Sequence, residues 1–261
     1  MPRFAANLGF LFTEHPLPAC IDAAAAAGFK AVELQHPYDV PAADVKAAIE
    51  RNNLTMLGVN TPRGGGKDDF GLAAVPSRER DFDAAFTTAL DYITAIGGLA
   101  IHCLSGVVAP DARAEAERTF VSNLTRAADR AAERGITLLV EPINQRDRPD
   151  YFLYRVEHAA DIIAKVGKPN VRMQFDLYHA QIVGGDLITR FETYLPVVGH
   201  VQCASVPGRH EPDEGEINYP AVFDAVDRLG YRGWIGAEYR PRGPTEAGLG
   251  WAAPYAVTPR G

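Results

Sequence analysis

The chain predicts an eight-stranded parallel (β/α)₈ barrel, a TIM barrel, and three observations carry that prediction. Its 261 residues match the usual size of one such barrel. Ala-rich, charged, helix-like segments alternate with short β-branched runs, and the helices stop at glycines such as Gly28, Gly135, Gly167 and Gly230. That alternation implies right-handed βαβ units and a parallel sheet. Finally, no Gly-x-Gly-x-x-Gly follows any strand, so the open dinucleotide-binding sheet lacks its signature.

Taken in order, strand one is expected near residues 4–10, and a helix over 18–27 follows it, closed by Gly28. Strands two and three fall at 31–34 and 56–60, with a helix over 42–52 between them. Residues 61–76, with Gly64-Gly-Gly66 and Lys67-Asp-Asp69, read as a long loop of the kind that often covers a binding site. A helix over 78–96 leads to strand four at 99–103, and one over 111–134 to strand five at 137–141. Helices over 157–165, 186–194 and 219–229 separate strands at 171–176, 199–202 and 234–238. The eighth helix is poorly marked, because residues 240–250 are rich in Pro and Gly. No break in composition divides the chain, so a single domain over 1–261 is expected.

The net charge of −7 argues against a nucleic-acid partner, which would require a basic face. Three cysteines, Cys20, Cys103 and Cys203, are an odd number without repeated spacing, so a reduced, cytoplasmic protein is expected. No signal-peptide core and no membrane-length apolar run is seen, so no membrane partner is expected. Trp251 and the Pro/Gly-rich tail suit an interface between copies, and a homo-oligomer is expected on that ground.

The last four strands finish alike, on Glu141, Asp176, Gln202 and Glu238. Strand ends at the carboxyl face of a barrel form its active site. Three carboxylates brought together there cannot all stay ionised without a cation among them. Glu141, Asp176, Gln202 and Glu238 are therefore the expected metal ligands. An all-oxygen set favours Mg²⁺ or Mn²⁺ over zinc. Around them, His179, three residues past Asp176, can reach a substrate oxygen, and His102, ending strand four at the barrel mouth, is a further expected substrate contact. The loop 206–217 brings Arg209, whose fork suits a carboxylate, together with His210 and Glu216. Asn7, Glu33, His36 and Asn60 sit near the ends of strands one to three, and Arg240 and Arg242 follow Glu238. Two glutamates beside a divalent ion suit proton transfer next to a carbonyl: Glu141 and Glu238 are the expected acid–base pair. The residues alone leave open whether the proton returns to the neighbouring carbon or to the same one.

The segments Glu141-Pro-Ile-Asn144, Phe175-Asp-Leu-Tyr-His-Ala-Gln181, Pro207-Gly-Arg-His-Glu-Pro212 and Gly233-Trp-Ile-Gly-Ala-Glu-Tyr239 resemble the hydroxypyruvate isomerase family, as does Val32-Glu-Leu-Gln-His-Pro-Tyr38 near the N-terminus. The resemblance spans nearly the whole chain. It implies a xylose-isomerase-like barrel that interconverts hydroxypyruvate and 2-hydroxy-3-oxopropanoate through an enediolate. It also implies that Glu141, Asp176, Gln202 and Glu238 hold the metal, that Glu141 and Glu238 exchange the proton, and that Arg209, His210 and His179 contact the substrate. The chain departs from the family pattern in the strand-three loop, where Gly65-Gly-Lys67 replaces a Gly-Asp-Trp, and at Cys103-Leu-Ser-Gly106. Substrate length could be sensed at both places, and a 2-oxo-tetronate isomerase is the near alternative. Ketose 3-epimerases, which commonly carry His where Gln202 stands, and an inosose dehydratase-like lyase are more distant ones.

Overall fold

In the computed structural model, which describes residues 1–259, nine parallel strand segments form a nearly closed barrel. Arg260 and Gly261 of the expected 1–261 domain lie outside the described residues. The strands are β1 (Arg3–Asn7), β2 (Ala31–Glu33), β3 (Thr55–Met56), β4 (Gly58–Asn60), β5 (Ala100–His102), β6 (Thr137–Val140), β7 (Val171–Asp176), β8 (Val198–Cys203) and β9 (Trp234–Ala237). Their order around the sheet is β3-β2-β1-β9-β8-β7-β6-β5-β4. β3 and β4 are the two halves of the single third strand expected from sequence, parted at Leu57. Past the end of β2, Leu34 N donates to Gly58 O at 2.9 Å and Asn60 N donates to Gln35 O at 2.9 Å, which draws the ring shut.

The helices are α1 (Leu17–Ala26), α2 (Ala42–Asn52), α3 (Glu79–Ala95), α4 (Arg113–Ala132), α5 (Val156–Val166), α6 (Leu177–Val183), α7 (Leu187–Tyr194) and α8 (Tyr219–Arg228). All but α6 lie within about two residues of the expected bounds. The 177–183 stretch is short and aromatic and reads as loop in the sequence. It becomes a helix because the Asp176 side chain accepts from Tyr178 N at 2.8 Å and caps its first turn. The poorly marked final segment is a 3₁₀ helix, Thr245–Tyr255. Within it Trp251 turns inward, packing on Phe4 at 5.0 Å between ring centroids and donating from Nε1 to Tyr239 Oη at 3.2 Å. The indole is partly buried, packed against the chain's own core.

The outward faces of the strands pack on the helices, and Cys20, Cys103 and Cys203 are buried and free. The interior is less ordinary. Barrel interiors are usually filled by branched apolar side chains. Here Glu33, Gln174, His200 and Gln202 occupy the ring and are buried. Gly236 makes room for the first of them: a β-carbon there would stand 2.4 Å from Glu33 Oε1. Below this polar layer a cavity of about 450 Å³ opens among the amino-terminal strand ends, lined by Gly58, Ala100, Leu139, Gly199 and Trp234. The smaller cavity at the opposite, carboxyl-terminal face holds the carboxylates.

Candidate active site

Strand parity determines which side chains reach the centre. In β7, Arg172, Gln174 and Asp176 share one face; in β8, His200 and Gln202 do. Asp176 pairs in register with Gln202, and Gln202 with Gly236, so Glu238 stands one pleat above Gln202. Glu141 follows directly on β6 and Glu238 on β9. Pro142 holds Glu141 extended at the strand end.

The carboxyl-face cavity, about 180 Å³, is lined by Glu141, Glu238, His179, His102 and Arg209 among others. Glu141, Asp176 and His179 place ligand atoms within 4.8 Å of one another, a buried group that could hold a metal ion. Glu141 Oε1 and Asp176 Oδ2 are buried and accept no hydrogen bond from any of the described residues. Two adjacent carboxylate oxygens without donors fit a cation.

The other two expected ligands are engaged by protein groups. Gln202 Oε1 accepts from Gln174 Nε2 at 2.7 Å, while Gln174 Nε2 also reaches Glu141 Oε2 at 3.0 Å. Glu238 Oε1 accepts from Asn7 Nδ2 at 3.1 Å and Gln35 Nε2 at 3.0 Å, and Oε2 accepts from Arg209 Nη2. Arg209, with a left-handed backbone (φ 56°), also lies 3.7 Å from Asp176 Oδ2. It is the counter-charge of the cluster, so its fork is directed at the protein's own carboxylates where a substrate carboxylate was expected. His210 does not line this cavity: its Nδ1 faces Arg240 O at 2.8 Å. Glu216 accepts from Gln181, and Arg242 pairs with Glu211, Asp213 and Glu214.

His179 sits on the first turn of α6. Its Nε2 is 3.6 Å from Asp176 Oδ2 and 3.7 Å from Glu141 Oε1. Its tautomer follows from its neighbours. The backbone N–H of Asp147 donates to Asn144 Oδ1 at 2.9 Å, which turns Asn144 Nδ2 toward His179 Nδ1 at 2.6 Å. Nδ1 therefore accepts, and Nε2 carries the proton toward the cavity. Burial, and then Arg209, hold its pKa well below the ordinary value, so the ring is neutral.

Sequence reading passed over Gln174 and His200, yet period-two counting back from Asp176 and Gln202 lands on both. Glu33 is the hub beneath: it accepts from Asn7 Nδ2 and Gln202 Nε2, each at 2.7 Å, and pairs with His200 Nε2.

Burial raises three carboxyl groups. Glu141 stands well above its ordinary value, helped by Glu238 and Asp176; Asp176 is pushed up to about 6 and Glu238 to about 7. Groups raised in the folded state hold protons that the unfolded chain releases, so stability is greatest on the acid side and is lost as pH rises through 6 to 7. The metal-free protein is expected to lose several degrees of Tm between pH 5 and pH 8, with excess Mg²⁺ or Mn²⁺ restoring it chiefly at the upper end. Thermal unfolding across that range checks this; a flat metal-free profile contradicts it.

Barrel and carboxylate cluster together define the class. The chain belongs to the xylose isomerase-like TIM barrel family, whose model matches residues 21–255. It is 48% identical to a 2-oxo-tetronate isomerase of Cupriavidus necator, over 98% of this chain and 99% of that protein. It is 38% identical to the hydroxypyruvate isomerase of Escherichia coli K12, over 98% of this chain and all of that one. A solved structure titled an AP endonuclease, family 2, from Brucella melitensis superposes with a TM-score of 0.96 at 46% identity, covering 98% of this chain and 100% of that one. With relatives this similar along its whole length, the chain is an isomerase. Among the described residues no helix is long and apolar enough to cross a membrane.

Proposed function

We propose that the protein is a divalent-metal-dependent isomerase of small hydroxy-keto acids, interconverting hydroxypyruvate and 2-hydroxy-3-oxopropanoate. The observation that carries this reading is the pair of buried donor-free oxygens, Glu141 Oε1 and Asp176 Oδ2, grouped beside the cavity that Glu141 and Glu238 line. Glu141 and Asp176, with Gln202 and Glu238 completing the set, would hold Mg²⁺ or Mn²⁺. Such an ion, when bound, acts as a Lewis acid that polarises the carbonyl and favours the enediolate.

The chain's own residues do the rest. Glu238, with a pKa near 7, is matched to taking a proton from carbon and giving one back at neutral pH. Asn7 and Gln35 fix its Oε1. Glu141, across the rim at the end of β6, is its counterpart for the adjacent carbon. His179 Nε2–H donates to a substrate oxygen, a role in keeping with its tautomer, whereas a ligand would need a bare nitrogen there. His102, whose Nδ1 is 3.3 Å from Glu141 Oε2, flanks that carboxylate.

The same groups would serve 2-oxo-tetronate, one carbon longer, and the similarity to 2-oxo-tetronate isomerases makes that the second reading. Acting on nucleic acid is disfavoured by the net charge of −7. A panel of hydroxypyruvate, 2-oxo-tetronate and ketohexoses, run with Mg²⁺ and Mn²⁺, tests the proposal. Hydroxypyruvate is expected to give the highest kcat/KM; preference for a ketohexose overturns it.

A further inference from the structure

A carboxylate-bearing substrate needs a cationic partner, and Arg209 is already committed to Glu238. The same cavity carries other arginines, and two of them converge on one ring. The guanidinium carbon of Arg148 lies 3.9 Å from the Phe70 ring centroid, and that of Arg63 lies 4.9 Å from the same centroid. Arg63 and Phe70 come from the loop after β4, and Arg148 from the loop after β6, so the ring ties the two loops together at the mouth of the cavity. Two like charges held side by side repel. Burial and the neighbouring Arg148 hold the pKa of Arg63 below its usual value.

Neither guanidinium has a carboxylate partner among the described residues. Arg63 Nε donates to His36 Nε2 at 3.0 Å, a neutral acceptor, because burial and Arg63 itself push His36 down to about 4. Arg148 Nε is buried and has no hydrogen-bond partner. The nearest carboxylate in sequence, Asp147, spends its oxygens on Tyr178 Oη at 3.2 Å, Asn144 Nδ2 at 3.3 Å and Arg209 Nη1 at 3.7 Å. In a chain with seven more negative than positive side chains, carboxylate partners are not scarce. Arg63, exposed, and Arg148, half-buried, are thus both open to an anion at the mouth of the cavity.

We propose that Arg63 and Arg148, gathered on Phe70, receive the substrate's carboxylate and thereby select small 2-oxo acids over neutral sugars. This deepens the functional reading above and rests on it. A planar fork is the group that grips a carboxylate through two parallel hydrogen bonds, and stacking on an aromatic ring fixes its plane beforehand. The loop that supplies Arg63 and Phe70 is the one in which Gly65-Gly-Lys67 departs from the family pattern. On this proposal residues 63, 70 and 148 set specificity, apart from the metal and acid–base groups.

The experiment compares the wild type with Arg63→Met, Arg148→Met, the double variant and the charge-retaining Arg148→Lys, with Arg146→Met as a control on the same loop outside the cavity. Two readouts are taken on metal-loaded protein: steady-state kinetics with hydroxypyruvate, and calorimetric binding of D-glycerate, which keeps the carboxylate but has no carbonyl. Each Met variant is expected to raise KM and the D-glycerate Kd about 10- to 30-fold, with kcat changed only a few-fold. Arg148→Lys should recover part of the loss, and Arg146→Met should change neither constant. Unchanged circular dichroism and Tm confirm the fold, since no protein ion pair is lost. If the wild type turns over hydroxypyruvate and the double variant keeps its KM and Kd, the carboxylate receptor is refuted and the isomerase reading stands. If the wild type is inert on every 2-oxo acid, the hydroxy-keto-acid reading fails. D-glycerate then decides alone: weaker binding in the double variant upholds the receptor, and unchanged binding overturns it.

Discussion

Glu238→Gln is expected to lower kcat for hydroxypyruvate by about 10³- to 10⁴-fold while changing KM by less than about tenfold. Glutamine has the same shape, and its carbonyl oxygen can still accept from Asn7 Nδ2 and Gln35 Nε2, as Glu238 Oε1 does at 3.1 and 3.0 Å. What it cannot do is take up a proton near neutral pH. The loss corresponds to about 4–5 kcal/mol of transition-state stabilisation, the size of a general base. Arg209 loses its closest partner in this variant but keeps Asp176 and Asp147, each 3.7 Å away, so it is not left as an isolated buried charge. Two roles are proposed for Glu238, proton carrier and metal ligand, and a metal titration separates them. If kcat returns to within tenfold of wild type at saturating Mg²⁺ or Mn²⁺, Glu238 is a ligand only and its assignment as the base is wrong. A second measurement is uptake of solvent deuterium into substrate, which should slow in step with kcat.

Much of this site was legible because a barrel converts sequence order into spatial order. Four strands ending on Glu141, Asp176, Gln202 and Glu238 must present those ends on one rim once the sheet is known to be parallel and closed. The glycine stops and β-branched runs establish that much. Rotamer and partner are not written in the pattern. Nothing in the sequence says that Gln174 Nε2 lies between Gln202 and Glu141, or that Glu33 gathers Asn7, Gln202 and His200 beneath the rim. Such contacts depend on which way each amide turns, and that is decided by neighbours 26 to 169 positions away along the chain. Arg209 shows the same limit. Its residue type suggested a substrate carboxylate, whereas its contact with Glu238 depends on the loop 206–217 folding back so that Arg209 O accepts from Arg240 N at 2.7 Å. The pairing of Arg63 with Arg148 was invisible for a related reason. Two long loops meet there, and loops carry no periodicity from which a contact can be read.

Chelation of the divalent metal is expected to reduce turnover by at least about 10³-fold, with recovery on adding Mg²⁺ or Mn²⁺ and none on adding Na⁺ or K⁺. Three buried carboxyl groups, Glu141, Asp176 and Glu238, stand around the guanidinium of Arg209, which leaves excess negative charge within that cluster once all three ionise. Arg209 balances Glu238, and the oxygens without donors are Glu141 Oε1 and Asp176 Oδ2. Asp176→Asn removes one of those oxygens' charges while keeping a side-chain oxygen to accept from Tyr178 N. The start of α6 should therefore survive and only ion affinity should fall, by about 10- to 100-fold in calorimetric titration. His179→Gln separates the two possible roles of that ring. If His179 donates to substrate, as its contact with Asn144 requires, metal affinity stays within about tenfold of wild type while kcat falls. If it is a ligand, both collapse together. Activity that persists in full after exhaustive chelation would mean that Arg209 alone supplies the positive charge at the reacting centre, and the metal-dependent account would be wrong at its root.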